Sequence, residues 1–284
     1  MSAELVLPRD SALYQTVTGA AREQRCVFFA GLPGVGKSLL IQQTALLATE
    51  AGRLVHLLQW DVARGAFETS AILARYPEVD GITHAAIRKA AGFWVRAAVH
   101  RWDRAYADPA HLLIGEAPLI GNRLSELAQQ QPDEAEALLA GEHSLFLIPA
   151  PSAALRASIE QARAREMAAP LHARERANAS VDVMQSLWQE LGEVAARLGV
   201  PDARVGPGYD RDQYVGVYAR LLRHRRAQIL DVTRRFEVHA SPYDLLAVAS
   251  ELVPSADEVD AAMRLVDSLA PRELERQVAR WYEV

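Results

Sequence analysis

One cysteine, Cys26, stands among 284 residues. The chain can form no intrachain disulfide, and that thiol reads as a small buried group. There is no run of about 18 apolar residues, the length a bilayer-crossing helix needs. The first ten residues, Met-Ser-Ala-Glu-Leu-Val-Leu-Pro-Arg-Asp, lack the basic and apolar stretches of a signal peptide. Cytoplasmic residence, with no membrane partner, is the expectation. Positive charge is not in excess: the formal net charge is −5. That argues against a nucleic-acid partner, whose phosphates demand a basic field. His84, His100 and His111 have no metal-ligand spacing, so no zinc site is expected. Internal repeats, low-complexity tails and coiled-coil heptads are missing too.

What is present is the composition of an ordinary soluble globular protein, 50% hydrophobic and 24% charged. The length allows one large α/β domain or two small ones. Arginine greatly outnumbers lysine and gathers in particular stretches. The most informative stretch is residues 26–42. An apolar, strand-type run from Cys26 to Ala30 enters Gly31-Leu32-Pro33-Gly34-Val35-Gly36-Lys37-Ser38, and an amphipathic helix leaves it through Leu39. This matches the phosphate-binding pattern G-x-x-x-x-G-K-[ST] at every fixed position, in the strand-then-helix setting that the pattern requires. Glycines let successive backbone N–H groups turn inward around phosphate oxygens. The helix N-terminus adds its unpaired N–H groups and the positive end of its dipole. Lys37 reaches the β- and γ-phosphates, and the Ser38 hydroxyl suits the accompanying Mg²⁺. ATP, or another nucleoside triphosphate, with Mg²⁺ is the expected cofactor pair. The bland reading is a glycine turn that merely joins a strand to a helix.

Around this stretch the pattern alternates. Glu4 to Leu7 is strand-like, and Asp10 and Ser11 can cap a helix over Ala12 to Glu23. Helix Lys37 to Ala51 stops at Gly52. Leu54 to Asp61 carries a buried-type strand, and Thr83 to about Ala107 is helical, with Trp94, Val95, Ala98 and Trp102 at 3–4 spacing. Leu112 to Glu116 is a third strand, Arg123 to Leu139 a helix, and Ser144 to Ile148 a fourth strand. The expected fold is therefore α/β, a three-layer α/β/α arrangement around a mostly parallel, doubly wound sheet. Residues 1–200 are expected to form the nucleotide-binding core. Pro201 to Gly208 is the clearest break, and residues 201–284 read as a mainly helical C-terminal extension packed on that core. Within it, Tyr209 to Phe236 is read as helical and Phe236 to Ala240 as a fifth strand. Ser255 with Glu258 caps one helix, and Pro271 starts the last.

In an open parallel sheet, ligands sit beyond the carboxyl ends of the strands. After the second strand come Asp61 and Arg64, a carboxylate to take a substrate proton and a cation to hold an anionic group. The alternative is a helix cap with a solvated arginine. Glu116 ends the third strand where a carboxylate can orient Mg²⁺ directly or through water, or bond a neighbouring loop. Asn122 and Arg123 follow, the arginine as a substrate or phosphate contact. Gly115 is unusual inside a strand and permits either close approach of a substrate or a tight packing contact. The Trp60, Trp94 and Trp102 set reads as core.

With Asp61-x-x-Arg64 behind the glycine turn, the chain resembles P-loop small-molecule and nucleotide kinases, the zeta-toxin-like phosphotransferases among them, over roughly residues 26–180. The resemblance implies that Asp61 binds or deprotonates the acceptor and that Arg64 holds it. It also implies an arginine-rich lid after the fourth strand, carried onto residues 153–178 with Arg163 and Arg165 or Arg174 and Arg176. The third strand departs from the family in ending on glutamate where many members have aspartate. The expected function is ATP- and Mg²⁺-dependent transfer of the γ-phosphoryl group to a small molecule or nucleotide, with Lys37, Asp61, Arg64, Glu116 and Arg123 as the catalytic set. Two other readings stand beside it: a nucleotide-hydrolysing switch acting through a protein partner, and a scaffold that keeps the turn without catalysis. A GTPase is disfavoured because Asn-Lys-x-Asp is absent, and an ABC-type ATPase because Leu-Ser-Gly-Gly-Gln is absent.

Overall fold

Among the residues described, short apolar runs bounded by glycine, proline and polar residues become six parallel strands in the computed structural model. The structure describes residues 4–79, 81–166, 181–206, 208–236 and 249–284. The strands are β1 (Cys26–Ala30), β2 (Leu54–Leu58), β3 (His111–Ala117), β4 (Ser144–Pro151), β5 (Ala227–Val232) and β6 (Ala249–Glu251). They form one sheet in the order β5-β4-β1-β3-β2-β6, with every pairing parallel. The helices among the described residues are α1 (Ala12–Glu23), α2 (Lys37–Glu50), α3 (Trp60–Phe67), α4 (Ser70–Arg75), α5 (Ala85–Ala105), α6 (Glu136–Leu139), α7 (Ala153–Glu166), α8 (Val181–Arg197), α9 (Arg211–Leu221), α10 (Ala256–Ser268) and α11 (Pro271–Ala279).

Side chains alternate across the sheet, and each face acquires its own core. Val27, Phe29, Leu57 and Ile114 pack with α1 and α2. Cys26, Phe28, Leu58 and Phe146 pack on the other face with α3, α5, α8, α9 and α10. Helices therefore cover both faces, the situation that makes parallel strands near-continuously apolar. Cys26 is fully buried, and burial pushes its thiol up to about 12. Trp60, Trp94 and Trp102 are core residues.

The wiring places a crevice. From β1 the chain leaves through α2 on one face. From β3 it leaves through Leu119, Ile120, Leu124 and Leu127, which pack on the opposite face. β1 and β3 are neighbours, so their carboxyl ends form a topological switch point, the usual place for a ligand in such sheets.

Several boundaries differ from the sequence expectation. Glu4 to Leu7 joins no strand; the Val6 and Leu7 N–H groups donate to the Gln43 side chain instead. The helix expected over Arg123 to Leu139 is reduced to a 3₁₀ turn (Ser125–Leu127) and the single turn of α6. Leu124, inside that span, takes a left-handed backbone angle that no helix can contain, as do Leu119 and Asn122 just before it, and Pro132 follows. The helix expected over Tyr209 to Phe236 ends at Leu221, and Ala227–Val232 is instead a strand on the sheet edge. Both edge strands thus come from residues after 201. The strand expected over Phe236 to Ala240 lies, past Phe236, outside the described residues. The caps at Ser11 and Ser255 and proline at the start of α11 are as expected.

Past Leu147, β4 has β5 as its neighbour on one side and no longer pairs with β1, so Pro149 and Pro151 cost no ladder bond there. Gly115 makes a packing contact. A Cβ there would lie 2.6 Å from the Phe28 ring, which stacks on Phe146 at 4.8 Å. Gly115→Ala is expected to cost about 1–3 kcal/mol by overpacking, read as a lower urea midpoint at unchanged slope. An unaltered midpoint would mean that Phe28 can move aside freely.

Away from the switch point, charges are buried as structure. Arg96, 3% exposed, donates to Asp133 and Glu136 and to the carbonyls of Glu126 and Gln129. Arg225 holds Glu136 from the other side at 2.8 and 3.0 Å and reaches the carbonyls of Leu127 and Gln129. This network fixes the irregular segment between β3 and β4.

Candidate functional site

The site is built on the carboxyl ends of β1, β2 and β3. β1 is buried throughout and ends at Ala30. In the turn after it, Gly34 (φ +77°) and Gly36 (φ +96°) take left-handed conformations that a side chain would strain. Gly36 caps α2 without a side-chain hydrogen bond, leaving the first-turn N–H groups unmet by any capping side chain. Lys37 and Ser38 lie in that first turn, and Leu39 comes next. The Lys37 ammonium, on a residue only 7% exposed, folds back and donates to the Leu32 carbonyl at 3.1 Å. Lys37 and Lys89 are the chain's two lysines. Lys89 is paired with buried Glu126 at 2.8 Å, far from this role.

Arg156, within the stretch expected to form a lid but not singled out there, touches the turn. Its residue is 1% exposed. Nη1 donates to the Pro33 carbonyl at 2.7 Å, Nε pairs with Glu160 at 2.9 Å, and the guanidinium lies over Trp188. The first turn of a helix leaving a strand beside the glycine turn was the available signal. The side chains of Arg163 and Arg165, and all of Arg174 and Arg176, lie outside the described residues, as does the rest of the expected lid from residue 167.

β2 leads directly into α3, whose first turn carries Asp61, with Arg64 three residues on. Arg64 Nη2 lies 3.4 Å from Asp61, and Nη1 lies 2.8 Å from Glu68. About half of the Asp61 side chain is open to solvent (47%). The protein atoms walling its carboxyl nevertheless raise its pKa, against the opposing pull of Arg64, Lys37 and Arg123. Glu116, near the end of β3, accepts a 3.4 Å hydrogen bond from the Trp60 N–H that opens α3. Burial raises its pKa; Lys37 lowers it and Asp61 raises it further. Lys37, Asp61 and Glu116 therefore feel one another's charge across three strand ends. Glu116 thus bonds the start of α3 and lies close enough to Lys37 to feel its charge.

Arg123 is brought close enough to Asp61 and Arg64 to feel both charges. Two further residues that the sequence did not single out stand beside it. Arg88, on α5, donates to the Gly121 carbonyl, and Arg123 donates to the Ile120 carbonyl at 3.0 Å. Glu190, on α8, faces both arginines and accepts from the Trp281 indole N–H at 3.2 Å. The loop they grip, residues 118–124, has left-handed angles at Leu119 (+63°), Gly121 (+72°), Asn122 (+58°) and Leu124 (+56°). Non-glycine residues held there cost of order 1 kcal/mol each, and that strain sits at a switch point. No local spacing links Arg88 to Arg123; only the crossing of α5 beneath the loop does.

α9 closes the rear. Tyr218 donates to the Pro118 carbonyl at 2.6 Å, and Tyr214 reaches the Ala30 carbonyl at 3.5 Å. Tyr209, just before α9, donates to the Pro151 carbonyl at 2.6 Å. Three tyrosines thus occupy carbonyls at the exits of β3, β1 and β4. Among the described residues, no group of three or more His, Cys, Asp or Glu is placed to hold a metal ion, and no helix is long and apolar enough to cross a membrane. No protein-family model matches this chain, and no curated protein sequence matches it.

Proposed function

We propose that this protein is an ATP- and Mg²⁺-dependent kinase that transfers the γ-phosphoryl group to a small-molecule acceptor. The observation that carries the reading is the convergence of Lys37, Asp61 and Glu116 on the switch point beside the glycine turn. The turn's backbone N–H groups and Lys37 bind the triphosphate. Asp61, its basicity raised by its surroundings, takes the proton of an acceptor hydroxyl. The bond from the γ-phosphorus to the bridging oxygen breaks, a bond to the acceptor oxygen forms, and ADP leaves. Glu116 suits the cation: among the described residues its one hydrogen bond is the long contact from Trp60. Ser38 and Glu116 would hold Mg²⁺, which when bound neutralises charge on the β- and γ-phosphates. The likeness of Gly31–Ser38 and Asp61-x-x-Arg64 to P-loop small-molecule kinases supports the same reading.

The test is ADP release by the full chain with ATP and Mg²⁺ across a panel of hydroxyl-bearing small molecules. Release is expected to depend on one acceptor class. Asp61→Asn is expected to lower kcat about 10²–10⁴-fold, the contribution of a positioned base, with ATP affinity nearly intact. Asp61 works only when ionised, so kcat/KM falls on the acid side, with its midpoint above the ordinary aspartate range. ADP release indifferent to acceptor and to Asp61→Asn would sink this reading and favour a hydrolysing switch.

A further inference from the structure

Arg88 and Arg123 pose a charge problem that phosphoryl transfer at Asp61 leaves unsolved. Arg88 lies beneath the 118–124 loop and Arg123 belongs to it, and both are held by backbone carbonyls, Gly121 and Ile120. Among the described residues, no carboxylate comes within ion-pair distance of either. A point 3.3 Å from Arg88 Nη1 is closer still to Arg123 Nη1 and only 3.1 Å from Glu190 Oε2; it is where a side chain on Gly121 would begin. Two guanidinium groups thus crowd one spot; Glu190 stands beside it with its other oxygen engaged by Trp281, and Asp61 is close enough to act on Arg123. Arg64, whose Nη atoms serve Asp61 and Glu68, adds a third cation. The Nε atoms of Arg64 and Arg88 are both buried with no hydrogen-bond partner among the described residues. Buried N–H donors without partners are rare and costly, more so on cations.

We infer that Arg88 and Arg123, with Arg64, form an anion subsite for the acceptor, and that the acceptor is a phosphate monoester whose free hydroxyl lies toward Asp61. This rests on the kinase reading for its second half only. A carbonyl satisfies a guanidinium's geometry without cancelling its charge, so two adjacent cations remain to be matched. A phosphate group brings close to two negative charges at neutral pH and three strong acceptor oxygens; a carboxylate brings one charge and two oxygens. Paired arginines suit the planar, forked donor pattern that phosphate oxygens accept. Burial lowers the pKa of both, and the charge of Arg88 helps lower Arg123 to about 10, while Glu190 raises both, so an entering dianion relieves a tension already present. The strained loop then has a role: it turns the Ile120 and Gly121 carbonyls toward the arginines and fixes both heads.

The glycine turn also binds phosphate, so the experiment must separate the two sites. Inorganic phosphate is titrated calorimetrically into the full chain as wild type, Lys37→Ala, and Lys37→Ala combined with Arg88→Gln and Arg123→Gln. Phosphate binding is expected to persist in Lys37→Ala and to weaken by roughly tenfold or more per arginine removed, the effect of losing a hydrogen bond to a charged group. Acetate is expected to bind at least tenfold more weakly than phosphate. Arg88→Lys with Arg123→Lys, which keeps charge but loses the fork, is expected to fall between and guards against a folding defect in the glutamine variants. Loss of all phosphate binding in Lys37→Ala, or equal binding of acetate and phosphate, would overturn the inference. ATP titrated into the wild type separates the two claims: no ATP binding with phosphate binding intact defeats the kinase reading and leaves the anion subsite standing.

Discussion

Lys37→Ala is expected to lower ATP turnover by about 10²–10³-fold, the usual effect of deleting one preorganised group that stabilises transition-state charge. The residue is almost fully covered, and its ammonium donates to the Leu32 carbonyl within the same turn. The same charge holds down the pKa of both Asp61 and Glu116. Removing it is therefore expected to move the acid limb of the residual activity to higher pH. A mere loss of nucleotide affinity would leave that limb in place. Turnover and its pH profile at saturating ATP decide the matter; full activity in Lys37→Ala would remove the residue from the chemistry.

The second large effect concerns stability. Glu136 is clasped between Arg96 and Arg225, and those bonds hold its pKa down at about 2 despite partial burial. Glu136→Gln leaves two buried guanidinium groups short of a counter-charge and is expected to cost about 3–5 kcal/mol. The same pair gives a pH signature. A carboxylate whose pKa is depressed on folding stabilises the fold above its unfolded pKa of about 4.3. That stability is lost as pH falls from there through about 2, and it amounts to roughly 3 kcal/mol for a shift of this size. Urea midpoints measured between pH 5 and 2 should show the slope in wild type and a flatter one in Glu136→Gln. Equal slopes would assign the acid sensitivity to other carboxylates.

The parallel sheet and the glycine turn were legible because their signals are local. Buried parallel strands read as short apolar runs, and the turn needs glycine at fixed positions. Asp61, Arg64 and Glu116 could be found from the polar residues at the carboxyl end of each strand. The segment from Arg123 to Leu139 misled: its composition suits a helix, but Leu124 takes a left-handed angle at the end of a loop whose carbonyls Arg88 and Tyr218 grip from elsewhere in the chain and Arg123 from within. Arg88 and Glu190 were invisible for the same reason. Each sits on a helix surface where arginine and glutamate normally face water, and only tertiary crossing turns them inward. β5 lay inside the stretch read as helical from Tyr209 to Phe236, just after the arginine-rich residues 223–226. Arg225, in that run, is a buried clamp on Glu136.

The strand order has a consequence for how the protein is made. β1, the central strand and the root of the glycine turn, finds its hydrogen-bonding partners in β3 and β4. β1 ends at Ala30, and the first of those partners begins at His111. At about 5–20 residues per second of synthesis, five apolar residues wait several seconds with both edges bare. During that interval the nascent chain offers an unpaired, aggregation-prone strand.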